Sequence, residues 1–286
     1  MISWYLYSIA ALLLLGIQRF LYKVAAEQGC SSSLTTAVFM GTVTLLSGVA
    51  FLVTASPVPS FSILMLLALV NSISFAGNTI AHIEALRHLP AGITFPLTRL
   101  SLGLVVVVSV CTFGEVLSPW QWLGVLLGFA VVGVLARDAG SEVLPAGNRR
   151  SGFFLVAICV ICGAVAAISS KVAAISTSTS GFMAMSYLLG TGFSLAIEKK
   201  WGSGKKPGHR GEAVAIGVVM GILNYVGFTA FMLALKDGPL SAIALITGMH
   251  FVIAIVLSML LYKERLTLAR SAGIGLTLLS VALLRQ

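Results

Sequence analysis

Charge is what this sequence lacks most. Asp, Glu, Lys and Arg make up 9% of its 286 residues, against 58% hydrophobic residues and a mean hydropathy of +1.03. A water-soluble domain carries roughly 25% charged residues. An aqueous fold of this length cannot hide so much apolar surface, so the bilayer is the expected solvent. Acidic residues are the scarcest, nine against eighteen basic, for a net charge of +9. The basic residues lie between apolar runs, where they set orientation and meet anionic head groups; nucleic acid is not an expected partner. Cysteines number four. Cys159 and Cys162 have redox-motif spacing, but within a continuous apolar run, where they read as small packing residues. No cluster has the spacing of a zinc site. There is no phosphate-cradling loop, no nucleotide motif and no nucleophile with an attendant base. Neither an enzyme, nor ATP-driven transport by this chain alone, nor any cofactor is expected. The N-terminal apolar run lacks a preceding basic segment and a small-residue cleavage site, and reads as a first span rather than a removed leader.

What is present in quantity is apolar runs of spanning length. A transmembrane helix needs about 20 mostly apolar residues. Ten such runs are expected at 3–24, 34–54, 62–84, 91–113, 119–137, 152–174, 180–197, 213–235, 240–262 and 266–284. Tight turns such as His88-Leu89-Pro90 and Asp237-Gly238-Pro239 separate them. Only two polar connectors exceed ten residues, 138–151 and the basic loop 198–212. The chain also repeats itself. Ala85-Leu86-Arg87-His88-Leu89-Pro90-Ala91 is echoed 149 residues later by Ala234-Leu235-Lys236-Asp237-Gly238-Pro239-Leu240. At the same offset Glu115 is matched by Glu264 and Gly124 by Gly273, and at an offset of 148 Lys23-Val24-Ala25-Ala26 is matched by Lys171-Val172-Ala173-Ala174. The unit is five helices. Because five is odd, the second unit enters the membrane from the opposite side, which produces an inverted repeat. The expected fold is an all-α integral membrane protein of ten transmembrane helices, arranged as two inverted five-helix repeats over 1–140 and 141–286.

These features resemble a known family. Ala85-Leu86 followed by Pro90-Ala91, Gly114-Glu115 at the end of the fourth span, and the Gly-rich fifth span from Leu123-Gly124 to Gly133-Val134 are similar to the EamA family of the drug/metabolite transporter superfamily. Ala234-Leu235, Pro239-Leu240, Lys263-Glu264 and Gly273 repeat the pattern. The resemblance implies a central cavity lined largely by spans 1, 3, 4, 6, 8 and 9, and export or exchange of small metabolites such as amino acids by alternating access. It also implies a multi-pass protein of the cell (inner) membrane with cytoplasmic termini. The charge count points the other way on orientation. Thirteen basic residues lie beside odd-numbered connectors and three beside even ones and the C-terminus, which places the termini outside.

Ionisable groups within spans are costly and face a cavity or a partner. Arg19 and Lys23 lie one turn apart near the end of the first span. Lys23 is expected to snorkel toward head groups, whereas Gln18 beside Arg19 favours a polar lining. Asn71, Ser74, Asn78 and His82 form one polar face of the third span, suited either to interhelical hydrogen bonding or to a cavity. Glu84 lies off that face, beside an arginine. Arg99 is about 12–13 Å of rise into the fourth span, with Pro96 one turn earlier loosening the backbone. Asn224 and Tyr225 are central in the eighth span and His250 in the ninth. Arg19, Asn78, Arg99, Asn224 and Tyr225 are thus candidates for binding a small anionic or zwitterionic solute, and His82 and His250 for carrying a proton. Gly124/Gly128 and Gly217/Gly221 permit close helix contact within the chain, and a monomer suffices. A carrier of phosphorylated or lipid-linked sugars, and a non-transporting scaffold or membrane enzyme, remain open alternatives.

Overall fold

The computed structural model describes residues 3–54, 57–98, 100–138, 148–201, 210–262 and 267–284. Every regular element among them is α-helical. The helices are α1 (Ser3–Glu27), α2 (Ser32–Thr54), α3 (Phe61–Ala85), α4 (Ala91–Thr98), α5 (Ser101–Phe113) and α6 (Pro119–Asp138), followed by α7 (Arg149–Ser176), α8 (Thr179–Trp201), α9 (Arg210–Asp237), α10 (Leu240–Gly248), α11 (His250–Tyr262) and α12 (Leu268–Leu283). Among the described residues, seven stretches are long and apolar enough to cross a membrane, and three shorter apolar helices accompany them. The outer surface is that of a lipid-solvated protein. Leu52, Val53, Leu66, Leu126, Leu260 and Leu278 face outward, whereas Ser8, Thr36, Ser47, Asn71, Thr79 and Ser280 are buried. The protein is therefore a multi-pass membrane protein.

Two expected continuous spans are each divided. The run 91–113 is interrupted between α4 and α5, and 240–262 between α10 and α11. The interruptions fall at matched positions, since α4 ends at Thr98 and α10 at Gly248, and Ser101 and His250, 149 residues apart, open the next segments. At both, hydrogen bonds tighten from i−4 to i−3 spacing: Leu100 N–H donates to Leu97 O at 3.1 Å and Val252 N–H to Met249 O at 3.0 Å. Such turns release carbonyls from the helical ladder.

The two halves interleave rather than sitting side by side. The main helix pairs are α1·α9, α2·α8, α3·α7, α2·α9, α3·α8 and α6·α12. Replacing each helix by its counterpart in the other half exchanges α1·α9 with α3·α7 and α2·α9 with α3·α8, and returns α2·α8 and α6·α12 to themselves. Glycines permit the closest approaches. A Cβ on Gly217 would lie 3.0 Å from Thr35 O, and one on Gly221 would lie 2.9 Å from Phe39 O and 2.5 Å from Thr42 Cβ. A Cβ on Gly124 would meet Leu284 and Ser280 O, and one on Gly128 the Met249 methyl. Both small-residue motifs are therefore used within the chain.

Charged side chains cap helix ends. Gly114 (φ 62°) ends α5 in the left-handed conformation, which glycine adopts without a Cβ penalty, and Glu115 follows it. Its carboxylate accepts from Leu240 N–H at 2.6 Å, Ser241 N–H at 2.9 Å and Ser241 Oγ–H at 2.5 Å. A first-half carboxylate thus caps α10, where exposed N–H groups and the helix dipole favour a negative charge. Lys171 Nζ on α7 donates to Leu235 O at 2.9 Å and Gly238 O at 2.8 Å, capping the carbonyl end of α9. Lys23 departs from expectation. It is buried, donates to Ser258 Oγ at 2.5 Å and lies 3.6 Å from Glu27, so it ties α1 to α11 instead of reaching head groups.

Gly221→Val is expected to lower the detergent-solubilised melting temperature, because overpacking costs about 1–3 kcal/mol and here the obstructing atoms are Thr42 Cβ and the Phe39 carbonyl oxygen; an unchanged melt would contradict this packing. Burial pushes the Glu115 carboxyl up, but the Ser109 and Ser241 hydroxyls and the Ser241 and Leu240 N–H groups outweigh it and hold the group below its ordinary value. A lowered folded-state value means stability that is present above the ordinary carboxylate range and lost as pH falls through the lowered one. Thermal melts of wild type against Glu115→Gln should therefore differ at neutral pH and converge in acid.

Candidate substrate cavity

The interruption carbonyls and the polar faces converge on a central cavity of about 110 Å³. Its polar lining includes Gln18 and Arg19 from α1, Asn78 from α3, Thr98 and Ser101 at the α4–α5 interruption, Ser170 from α7, Asn224 from α9, and Thr247 and His250 at the α10–α11 interruption. Phe75, Phe228 and Phe231 supply an aromatic side, with tilted ring pairs at 6.0 Å (Phe75–Phe228) and 5.6 Å (Phe228–Phe231).

The two interruptions treat their freed carbonyls alike. Ser101 Oγ–H donates to Thr98 O at 3.0 Å, and His250 Nδ1 meets Thr247 O. Thr98 and Thr247, and Ser101 and His250, are pairs 149 residues apart. A carbonyl only accepts, so Nδ1 of His250 carries hydrogen, which leaves Nε2 as the nitrogen that gains or loses a proton.

A chain of side chains joins the halves along the cavity wall. Tyr187 Oη–H donates to Asn224 Oδ1 at 2.5 Å, and Asn224 Nδ2–H donates to Gln18 Oε1 at 3.0 Å. Gln18 Nε2–H then donates to Tyr22 Oη, and Tyr22 Oη–H to Thr79 Oγ1, each at 3.4 Å. Arg19 lies against this chain. It is 8% exposed, its guanidinium is 4.7 Å from the Tyr22 ring centre, and its Nη1 is 3.4 Å from His82 Nδ1. Both neighbours are uncharged acceptors of a cation's field, and no carboxylate among the described residues lies within ion-pair distance of Arg19.

Of the residues expected from sequence, the cavity gathers Arg19, Asn78, Asn224 and His250. His82 stands behind Arg19, fully buried, rather than on the lining. Tyr225 is not on the lining either; as the residue after Asn224 it points about 100° away around the helix, and it packs partly buried against the core. Arg99 lies outside the described residues, as does Glu264. Asn71 takes the structural role: its Nδ2 donates to Ala166 O at 3.0 Å and to Ser169 and Ser170 hydroxyls at 3.0 and 3.1 Å, and its Oδ1 accepts from Ser186 at 2.8 Å. Glu84 pairs with Arg87 at 3.1 Å. Tyr22, Tyr187, Ser101 and Ser170 are missed by sequence reasoning. Ser101 was findable, because the repeat aligns it with His250; the tyrosines carried no signal beyond their type.

Among known proteins, the EamA-like transporter family matches residues 150–286. A search of curated proteins gave no match. One crystal structure of a protein has the same fold, with a TM-score of 0.78 and 19% identity over 98% of this chain and 96% of that one; at that identity the likeness concerns fold alone. With its apolar spans, buried polar interior and central cavity, the chain is a multi-pass membrane protein whose residues 150–286 match the EamA-like transporter family.

Proposed function

We propose that the chain is a secondary transporter of small organic metabolites such as amino acids, an exporter or exchanger working by alternating access in the cell (inner) membrane. The observation that carries this reading is Arg19. A buried guanidinium among apolar helices is costly to leave uncompensated. Behind the lining it meets the His82 ring and the Tyr22 face and no carboxylate among the described residues, so an anionic group of the solute is the missing complement. Asn78 and Asn224 supply hydrogen-bonding groups beside it, and the three phenylalanines a site for an apolar portion. Arg99 belongs to the same proposal on sequence grounds.

The volume favours a small solute. A cavity of about 110 Å³ is well below the roughly 300–1,000 Å³ of drug-sized sites, and far too small for a lipid-linked sugar. A sugar phosphate would satisfy Arg19 equally well in charge, and remains the second reading. The mechanism we infer uses two five-helix units of opposite polarity, over 1–140 and 141–286, rocking about the cavity. The matched interruptions and the self-exchanging helix pairs support that arrangement, since discontinuous helices at a repeat interface are where transporters build their sites. In this scheme the Glu115 and Lys171 caps hold one end shut and must part for the solute to pass. His250 on the lining and His82 behind Arg19 are the groups we assign to proton coupling.

Reconstituted vesicles test the reading by counterflow of labelled amino acids and sugar phosphates. Arg19→Gln should reduce uptake of the transported solute about tenfold or more, because a charge-assisted hydrogen bond is lost, whereas Arg19→Lys should retain part of it. Unchanged uptake of every solute would reject the role of Arg19, and competition by sugar phosphates alone would favour the second reading. Uptake by His250→Gln should lose its dependence on pH while binding persists; a pH profile identical to wild type would remove His250 from coupling.

A further inference from the structure

A second cleft, of about 380 Å³, lies away from the transport cavity between α3, α7 and α8. Gly77, Ile80, Ala81, Leu155, Ile158 and Ile197 make its walls, and Ser31 with the first two residues of α2, Ser32 and Ser33, lines one end. That end is at the level where α1, α3 and α8 finish and α2 and α7 begin, which is the level of the lipid head groups for helices of this length. Two carboxylates stand there, and their surroundings differ. Glu84 is paired with Arg87 at 3.1 Å and accepts from Ser32 Oγ–H at 2.9 Å. Glu198 accepts from Ser31 Oγ–H at 2.5 Å and forms no ion pair among the described residues.

An ionised carboxylate offers about four acceptor positions, and one hydroxyl fills only one of those on Glu198. The cleft thus joins a carboxylate that has no ion pair among the described residues to an apolar slot. A free inorganic or small organic cation would satisfy the anion and leave the slot unfilled. An acyl chain alone would do the reverse. The bilayer supplies amphiphiles that do both at this depth. Among their head groups, a primary ammonium has three N–H donors for Glu198 and the Ser31–Ser33 hydroxyls, whereas a quaternary ammonium has none.

We propose that this cleft is a binding site for a phospholipid whose head group carries a primary ammonium, with the ammonium on Glu198 and an acyl chain against Ile80, Leu155 and Ile158. Its occupant would brace α3, α7 and α8 from the side opposite the transport cavity. The site requires nothing of the transport reading.

The full chain, reconstituted in nanodiscs with equal parts of phosphatidylethanolamine, phosphatidylcholine and phosphatidylglycerol of matched acyl chains and then extracted in mild detergent, should be analysed for retained lipid by native mass spectrometry. Wild type should retain the ethanolamine lipid over the choline lipid by roughly tenfold, as expected for charge-assisted hydrogen bonds. Glu198→Gln, which keeps an acceptor for Ser31, should abolish that preference. Ile158→Trp, which fills the slot and leaves the charge in place, should lower retention of the ethanolamine lipid while Glu198 remains. Equal retention of ethanolamine and choline lipids by wild type, preferential retention of the glycerol lipid, or an undiminished ethanolamine preference in either variant would each overturn the proposal.

Discussion

Inside a bilayer no water is present to satisfy a backbone group, so each carbonyl and N–H must find its partner within the chain. That constraint explains most of what is polar in this protein. Hydroxyls along the spans turn back on their own helices, as when Thr36 donates to Ser32 O at 2.7 Å, Ser47 to Val43 O at 2.6 Å and Thr277 to Gly273 O at 2.8 Å. Between helices, Asn71 links α3 to α7 and α8 by four hydrogen bonds. At helix ends, Glu115 and Lys171 supply the charge that each terminus lacks. Charged residues are rare because each one needs such a post.

Against that background the cavity is where the rule is relaxed. The two interruptions release carbonyls, and Ser101 and His250 take them up from matched positions. A continuous hydrogen-bonded chain runs from Tyr187 to Thr79 through the lining residues Asn224 and Gln18. What it leaves open is the charge of Arg19. In the proposed transport role, Arg19 is the cation among the described lining residues that would meet a small anion, and the same hydrogen-bonded chain joins α8, α9, α1 and α3.

Composition and hydropathy made the all-helical membrane class and the approximate positions of the long apolar helices legible, because a span must be apolar over about 20 residues whatever it packs against. The expected runs 119–137 and 180–197 correspond to α6 and α8 within a few residues. The residues that line the cavity were legible only in part. Arg19, Asn78, Asn224 and His250 stood out because polar side chains are conspicuous in apolar helices, and all four reach the cavity. Tyr225 stood out for the same reason and does not, since one residue of helical rotation separates lining from core. The breaks at 98–101 and 247–250 carry little sequence signal: Pro96 hints at the first, and no proline marks the second.

The sequence by itself determined the solvent and the element type, both of which follow from local apolar length. Tertiary structure alone decided which polar groups face one another. Asn71 and Asn78 lie on the same helical face of α3, yet the first meets three hydroxyls and a carbonyl and the second an open cavity. The physical reason is that a polar side chain in lipid must be satisfied, but whether by a neighbouring helix or by space for a solute depends on the neighbour's position, which no periodicity within one helix records.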